Sequence, residues 1–407
     1  MPFLTRTGAN FMLDDLPFKN IGFNYYPAIV NFTPRATIQS LGNYLQDNGS
    51  KLFRTWFMIH QCRTLQTIGG VPTLVWNESV FDQFEMVLEE LGQRDIKVVP
   101  SLANNPDYNT KQTLCHWADV LYGTSLETAP YTGFFDNSHC RDFFKEFIDE
   151  ITSRYKDDDR IAWWELMNEG RYDKAGDANI NTTSSANLAA LGGTGGWTDV
   201  MSTYLKTKDP NHLVLFGGLE HTWQWINGDT VSNGTLYGTD YRITGALTNI
   251  DGIDYHNYPT QAGDGTQLQK YGQRLGYPNT ITGNGYKAQI YDYNKAGKID
   301  INKPVVCGEI GLPSEVIASN THYPLYPRHN FFKEFFHDFF DTGGDVVFLW
   351  HATILIGGSY SVLLDATGNP TVNDNSNDTK IMSLVAQWNA KLAGKRIPLS
   401  AVEGITI

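Results

Sequence analysis

Ile161-Ala162-Trp163-Trp164-Glu165-Leu166-Met167-Asn168-Glu169 is the stretch whose reading decides the fold. It is a short apolar run of the kind expected for a strand buried on both faces, and it closes on a carboxylate where strand should give way to loop. A second segment, Pro304-Val305-Val306-Cys307-Gly308-Glu309, has the same form and the same ending. Strands of this type belong to parallel sheets covered by helices, so the two glutamates are expected at the loop ends of two parallel strands.

Working outward, strand and helix patterns alternate. Ile21–Tyr25, Lys51–Phe57 and Ile96–Leu102 read as strands ahead of the first glutamate segment; His212–Phe216, Ile253–His256 and Val346–Trp350 read as the others. Helical spacing of apolar residues is clearest at positions 80, 81, 84, 87, 88 and 91. Further helices are expected over Thr37–Gln46, Arg141–Tyr155, Trp197–Lys206, His329–Phe340 and Ile381–Leu392, with a long polar loop from Leu102 to about Asp136. Eight strands alternating with helices predict a parallel (β/α)8 TIM barrel with long βα loops; a doubly wound open sheet is the alternative. Phe3–Pro17 reads as a hairpin turning at Gly8-Ala9-Asn10, so residues 1–18 should flank or plug one end. No internal repeat or linker is visible, and residues 1–407 are expected to form a single domain.

Composition excludes several classes. The 407 residues carry 31 Lys+Arg against 44 Asp+Glu, a formal charge of −13, which repels nucleic acid and anionic membranes and disfavours acidic polysaccharides. The longest apolar stretch, near Val346–Ile356, is interrupted by His351 and is too short to span a bilayer. The N-terminus has no signal-peptide core, leaving a cytoplasmic protein or one whose leader was removed. Asn-, Gly- and Thr-rich loops and N-x-S/T sequons at Asn31, Asn48, Asn77, Asn181, Asn233 and Asn377 favour a secreted origin. The four cysteines do not make a disulfide scaffold or a zinc site. Cys307 reads as a core residue, and one bridge among Cys62, Cys115 and Cys140 is left open. The Gly192–Gly196 stretch lacks a phosphate-loop lysine, and no metal or other cofactor is expected.

In a barrel, active groups sit at the carboxyl ends of strands. Polar residues recur there: Arg54; Asn168-Glu169-Gly170-Arg171; Asp254-Tyr255-His256-Asn257-Tyr258; Glu309; and Trp350. Any one could be structural, but their recurrence at one edge is hard to explain by packing. Two carboxylates at such an edge are the parts that glycosidic cleavage needs. Glu165 reads as a buried acid paired with a cation, and Asp157-Asp158-Asp159 as a solvated loop.

With these motifs in hand, the chain resembles glycoside hydrolase family 5, in the clan of barrel glycosidases, and most of all its endo-β-1,4-mannanase branch. The resemblance runs from Asn20-Ile21-Gly22-Phe23-Asn24 to Trp350. It is carried by Phe53-Arg54-Thr55-Trp56, Trp164–Glu169, His256-Asn257-Tyr258 and Val305–Glu309, supported by Asp209–Val214. It implies that Glu169 is the acid/base and Glu309 the nucleophile. It also implies that Asn168 bonds the sugar 2-hydroxyl, that Arg54 and Tyr258 contact Glu309, that His256 binds substrate, that Trp350 floors the subsite at the cleaved bond, and that Arg171 acts beyond it. Glu169 must then hold a proton near neutral pH while Arg54 keeps Glu309 ionised. Gly170, where mannanases usually have proline, and Glu220-His221, where glycine commonly follows the acid, depart from the pattern. The expectation is a retaining, monomeric enzyme on a neutral β-1,4-linked polysaccharide, mannan or glucomannan first. Endo-β-1,4-glucanase and exo-β-mannosidase are the close alternatives, and a non-catalytic carbohydrate-binding barrel the remote one.

Overall fold

The computed structural model describes residues 1–104, 109–128, 131–172, 184–218, 239–257, 290, 293–311, 328–350, 352–353, 362–363 and 377–394. The N-terminal segment forms three short antiparallel strands, β1 (Thr5–Thr7), β2 (Asn10–Leu13) and β3 (Leu16–Pro17). The expected hairpin thus has a third strand. Asp14 and Asp15, both at positive φ, make a second tight turn after the one at Gly8.

The barrel strands are β4 (Asn20–Asn24), β5 (Leu52–Trp56), β8 (Lys97–Ser101), β9 (Trp163–Glu165), β10 (Leu213–Leu215), β11 (Ile253–Asn257), β12 (Val305–Ile310) and β13 (Val346–Leu349). They form one sheet in the order β10-β9-β8-β5-β4-β13-β12-β11, every pair parallel. This is the (β/α)8 barrel expected from the sequence. Between β10 and β11 the closure runs through Asp251. Its N–H donates to Val214 O at 2.8 Å, and its Oδ2 accepts from Val214 N at 2.9 Å. Arg6 Nε also binds Asp251 Oδ1 at 3.1 Å, tying the N-terminal sheet to the seam.

Alternation along the strands sorts the core into two layers. One face of each strand packs on the surrounding helices. The other fills the barrel with Leu52, Val99, Trp163, Leu213, Val306, Val346 and Phe348. Leu4 and Phe11 close the lower end, with Phe11 stacked on Trp163 at 5.4 Å. Gly22 leaves the space that Phe348 needs: a Cβ there would stand 2.5 Å from Leu52 O and 3.0 Å from the Phe348 ring. The last helix, Asn377–Leu392, is fixed by Asn389, whose Oδ1 accepts from Ile21 N at 2.8 Å.

Two features differ from the sequence reading. The polar loop after β8 contains a helix, Asn109–Tyr122, whose Leu114, Cys115, Trp117 and Ala118 are buried at helical spacing. A hairpin, β6 (Arg63–Ile68) and β7 (Val71–Trp76), turns at Gly69-Gly70, both at positive φ as such a turn requires. The four cysteines are buried free thiols, with Cys140 Sγ donating to Leu114 O at 3.5 Å. Asp158 is paired with Arg160, and Asp157 Oδ1 accepts from Asn211 Nδ2 at 3.1 Å, so the acidic run is tied down.

Candidate active site

Five strands, β4, β5, β9, β11 and β12, bring polar residues together at the carboxyl mouth. Arg54, on β5, is 1% exposed and organises the group. Its Nε and Nη2 hold both oxygens of Glu165 at 2.7 and 2.6 Å, the bidentate geometry that suits a guanidinium. Its Nη1 donates to Glu309 Oε1 at 2.6 Å and to Asn24 Oδ1 at 2.8 Å, and Nη2 donates to Asn168 Oδ1 at 2.6 Å. Burial works against the guanidinium's charge, but the Glu165 and Glu309 carboxylates more than offset it and raise the pKa of Arg54. Glu165 is thus the cation-paired buried acid anticipated from the sequence.

Past Glu165 the chain leaves regular strand geometry. Met167 N and Glu169 N donate to Phe216 O and Gly217 O at 2.8 and 3.1 Å, while Asn168 N turns to Ala103 O at 2.8 Å. Glu169 has φ +49°, a conformation costly for a residue with a Cβ and concentrated at functional sites. Gly217, at φ +115°, must be glycine, since a Cβ would lie 2.2 Å from Met167 O. Asn168 is fixed on both sides, its Nδ2 donating to Asn104 Oδ1 at 2.8 Å.

Glu169 and Glu309 come from strands 140 residues apart and are both buried at the same mouth. His256, on β11, stands between them: Nδ1 is 2.7 Å from Glu169 Oε1 and 3.5 Å from Glu309 Oε2. One ligand-type atom from each of the three lies within 4.8 Å of the others. A divalent ion could be held there only in competition with Arg54, which already supplies positive charge to Glu309. Burial pushes the His256 imidazole down to about 4 against a partial opposing pull from Glu309, so the ring is neutral near pH 7. Gly218, at φ +79°, makes room for that ring; a Cβ would be 2.2 Å from it.

Trp350 follows β13 and lies half-buried, stacked on Tyr26 at 5.9 Å and 12°, with Trp56 at 6.2 Å. Arg171 is at the same edge, half-buried, with its carbonyl accepting from Lys111 Nζ at 3.3 Å. Tyr258 lies outside the described residues. Of the residues singled out in the sequence, Arg54, Asn168, Glu169, His256 and Glu309 therefore form one bonded cluster. Sequence reasoning gave no role of their own to Asn24, Asn104 and Asp254. Asn24 closes the apolar strand β4, the same signal that exposed Arg54, whereas Asn104 lies three residues past β8 and Asp254 is the second residue of β11.

A parallel α/β barrel with two carboxylates converging at its carboxyl mouth defines a class, the barrel glycosidases. The family model "Cellulase (glycosyl hydrolase family 5)" matches residues 13–353, and the chain belongs to glycosyl hydrolase family 5. It is a glycoside hydrolase by that membership. Mannan endo-1,4-beta-mannosidase 1 of Arabidopsis thaliana is 26% identical across 97% of this chain and 91% of its own length. Among solved structures, the endo-1,4-beta-mannanase of Rhizomucor miehei has the same fold, with a TM-score of 0.70 at 22% identity, covering 96% of this chain and 99% of that one. A family 5 mannosidase from Rhizomucor miehei superposes with a TM-score of 0.62 at 16% identity, covering 96% of this chain and 97% of the other.

Proposed function

We propose that this protein is a retaining endo-β-1,4-mannanase that hydrolyses mannan or glucomannan by double displacement. The observation that carries the reading is the facing pair, with oxygens of Glu169 and Glu309 within 4.8 Å. Retaining enzymes hold their carboxyl groups about 5–5.5 Å apart, whereas inverting ones leave roughly 6.5–9.5 Å for a water.

Glu309 attacks the anomeric carbon and forms the glycosyl ester, while Glu169 protonates the departing glycosidic oxygen. Arg54 holds Glu309 as the carboxylate and fixes its approach. Esterification removes the negative charge of Glu309; Glu169 then becomes the base that takes a proton from water, and the ester is hydrolysed with configuration retained. Asn168, held by Arg54 and Asn104, offers its amide to the 2-hydroxyl. Trp350 provides the apolar floor on which the sugar stacks, and Arg171 serves the leaving side. His256, bonded to Glu169, orients the acid/base and meets the substrate at the same edge.

The mannan preference rests on the relatives' activity and on the acidic, uncharged-substrate-favouring composition. The reading further takes the chain as one catalytic unit acting as a secreted monomer without cofactor or nucleic-acid partner. Among the described residues no helix is long and apolar enough to cross a membrane. An exo-β-mannosidase is the second reading, favoured by the likeness in fold to the family 5 mannosidase. The test is a panel of mannan, glucomannan and cellulose derivatives assayed for reducing ends with product sizing. Mixed oligosaccharides from mannan are expected. Mannose alone would favour the exo reading, cellulose as best substrate the glucanase, and no release from any polymer a carbohydrate-binding barrel.

A further inference from the structure

The mouth of the barrel holds a further buried carboxyl group that takes no part in the proton and bond transfers of this reaction. Asp254 lies on β11, on the same inward face as His256. Its Oδ1 accepts from Gly308 N at 3.0 Å, one residue before Glu309. A Cβ on Gly308 would stand 2.4 Å from that oxygen, so the contact requires glycine there. The β11–β12 ladder slips at this point: Tyr255 pairs with Cys307, but His256 pairs with Glu309. The Asp254–Gly308 bond sits on the slip that aims the Glu309 carboxylate into the mouth.

Asp254 Oδ2 is buried and has no hydrogen-bond partner among the described residues. Among the described residues the charged groups that face it are Arg54 from β5, Glu165 from β9 and Glu309 from β12. Both glutamates already share the one guanidinium. His256 beside it is neutral, and burial keeps the Cys307 thiol un-ionised. An ionised Asp254 would be a third negative charge against a single cation, with one oxygen stripped of water and unpaired, which is costly. Burial, reinforced by the Glu165 charge, pushes this carboxyl well above its usual range despite Arg54.

We propose that Asp254 is a positioning residue that works as a neutral carboxylic acid, holding the slip through Gly308 and aiming Glu309 without adding charge to the site. This rests on the reading of Glu309 as nucleophile. The comparison is with neutral carboxyls kept protonated by apolar sites in other enzymes.

Two variants and one spectroscopic readout test it. Asp254→Asn swaps one neutral group for another of the same shape. Its kcat on mannan is expected within about threefold of wild type, with both limbs of the pH profile unmoved. Asp254→Ala removes the clamp and is expected to lower kcat about tenfold to a hundredfold with KM little changed. In substrate-free protein at pH 7, the infrared C=O stretch of a protonated carboxylic acid should be present in wild type and reduced in Asp254→Asn. If Asp254 is instead ionised, the difference band is absent and Asp254→Asn shifts both pH limbs toward acid, because removing a negative charge lowers the pKa of neighbouring carboxyls. That result, or an Asp254→Ala enzyme with wild-type kcat, overturns the proposal. Should Asp254→Ala fail to fold, the Asn variant and the infrared band still decide. Wild-type protein inactive on every β-glycan would sink the glycosidase reading alone, since the infrared band needs no substrate.

Discussion

The two halves of the barrel interior are built from the same strands to opposite ends. At the lower end β5, β9 and β13 contribute Leu52, Trp163 and Phe348, which pack with Phe11 into an apolar plug. Two residues further along each strand the side chain on the same face is Arg54, Glu165 or Trp350. The plug gains stability from burial with no polar group to satisfy. Among the described residues the mouth buries six ionisable groups and a ring of amides, and survives because Arg54 is shared among Glu165, Glu309, Asn24 and Asn168. One end stabilises the molecule, and the other concentrates charge that is costly to bury but useful to the reaction.

The sharpest separation of the two ends comes from Glu309→Ala. Activity on mannan is expected to fall by about four orders of magnitude or more, with thermal stability little reduced. Added azide should not return a product of retained configuration. Near-normal turnover would break the assignment. Glu169→Ala should behave differently, keeping activity best on substrates with good leaving groups.

Next in size, Arg54→Met strands two buried carboxylates. A loss on the order of 3–5 kcal/mol of stability is expected together with loss of activity, measured by denaturant unfolding and reducing-end assay. A variant as stable as wild type would show that Glu165 and Glu309 find other partners. The matching change in the plug, Phe11→Ala, should cost about 3 kcal/mol or more, yet leave the pH profile and KM where they were. A pH profile displaced by Phe11→Ala would contradict the independence of the two ends.

The smallest effect is a pH dependence of stability. His256 titrates at about 4 in the fold against 6.5 for a free imidazole. Between these values the unfolded chain binds a proton that the native protein does not, so this group's contribution is fully present above pH 6.5 and is lost as pH falls toward 4. The loss amounts to roughly 3 kcal/mol. His256→Gln should flatten the fall in melting temperature across that window. An unchanged slope would mean that the ring is charged in the folded protein, paired with Glu169.

Much of this was legible in the sequence, for a definite reason. Strands buried on both faces leave continuous apolar runs, so a polar residue at the end of one, such as Arg54 or Glu309, stands out against its neighbours. Asn24 gave the same signal more weakly, because asparagine is also ordinary loop chemistry. Asp254 was quoted within its motif, but its isolation depends on which carboxylates surround it, and that information lies in β5, β9 and β12. The helix Asn109–Tyr122 was hidden because its buried face includes Thr110 and Lys111, which read as polar loop. The hairpin at Gly69-Gly70 was hidden because its strands do not alternate: the apolar residues fall at 65, 68, 71, 74, 75 and 76.

The direct test of the central claim is the anomeric configuration of the first product released from β-mannan, followed by proton NMR before mutarotation. Glu169 and Glu309 close enough to act in turn on one anomeric carbon predict β-configured sugar at the earliest times. Initial release of the α-anomer would mean that water attacks directly, and would contradict the account.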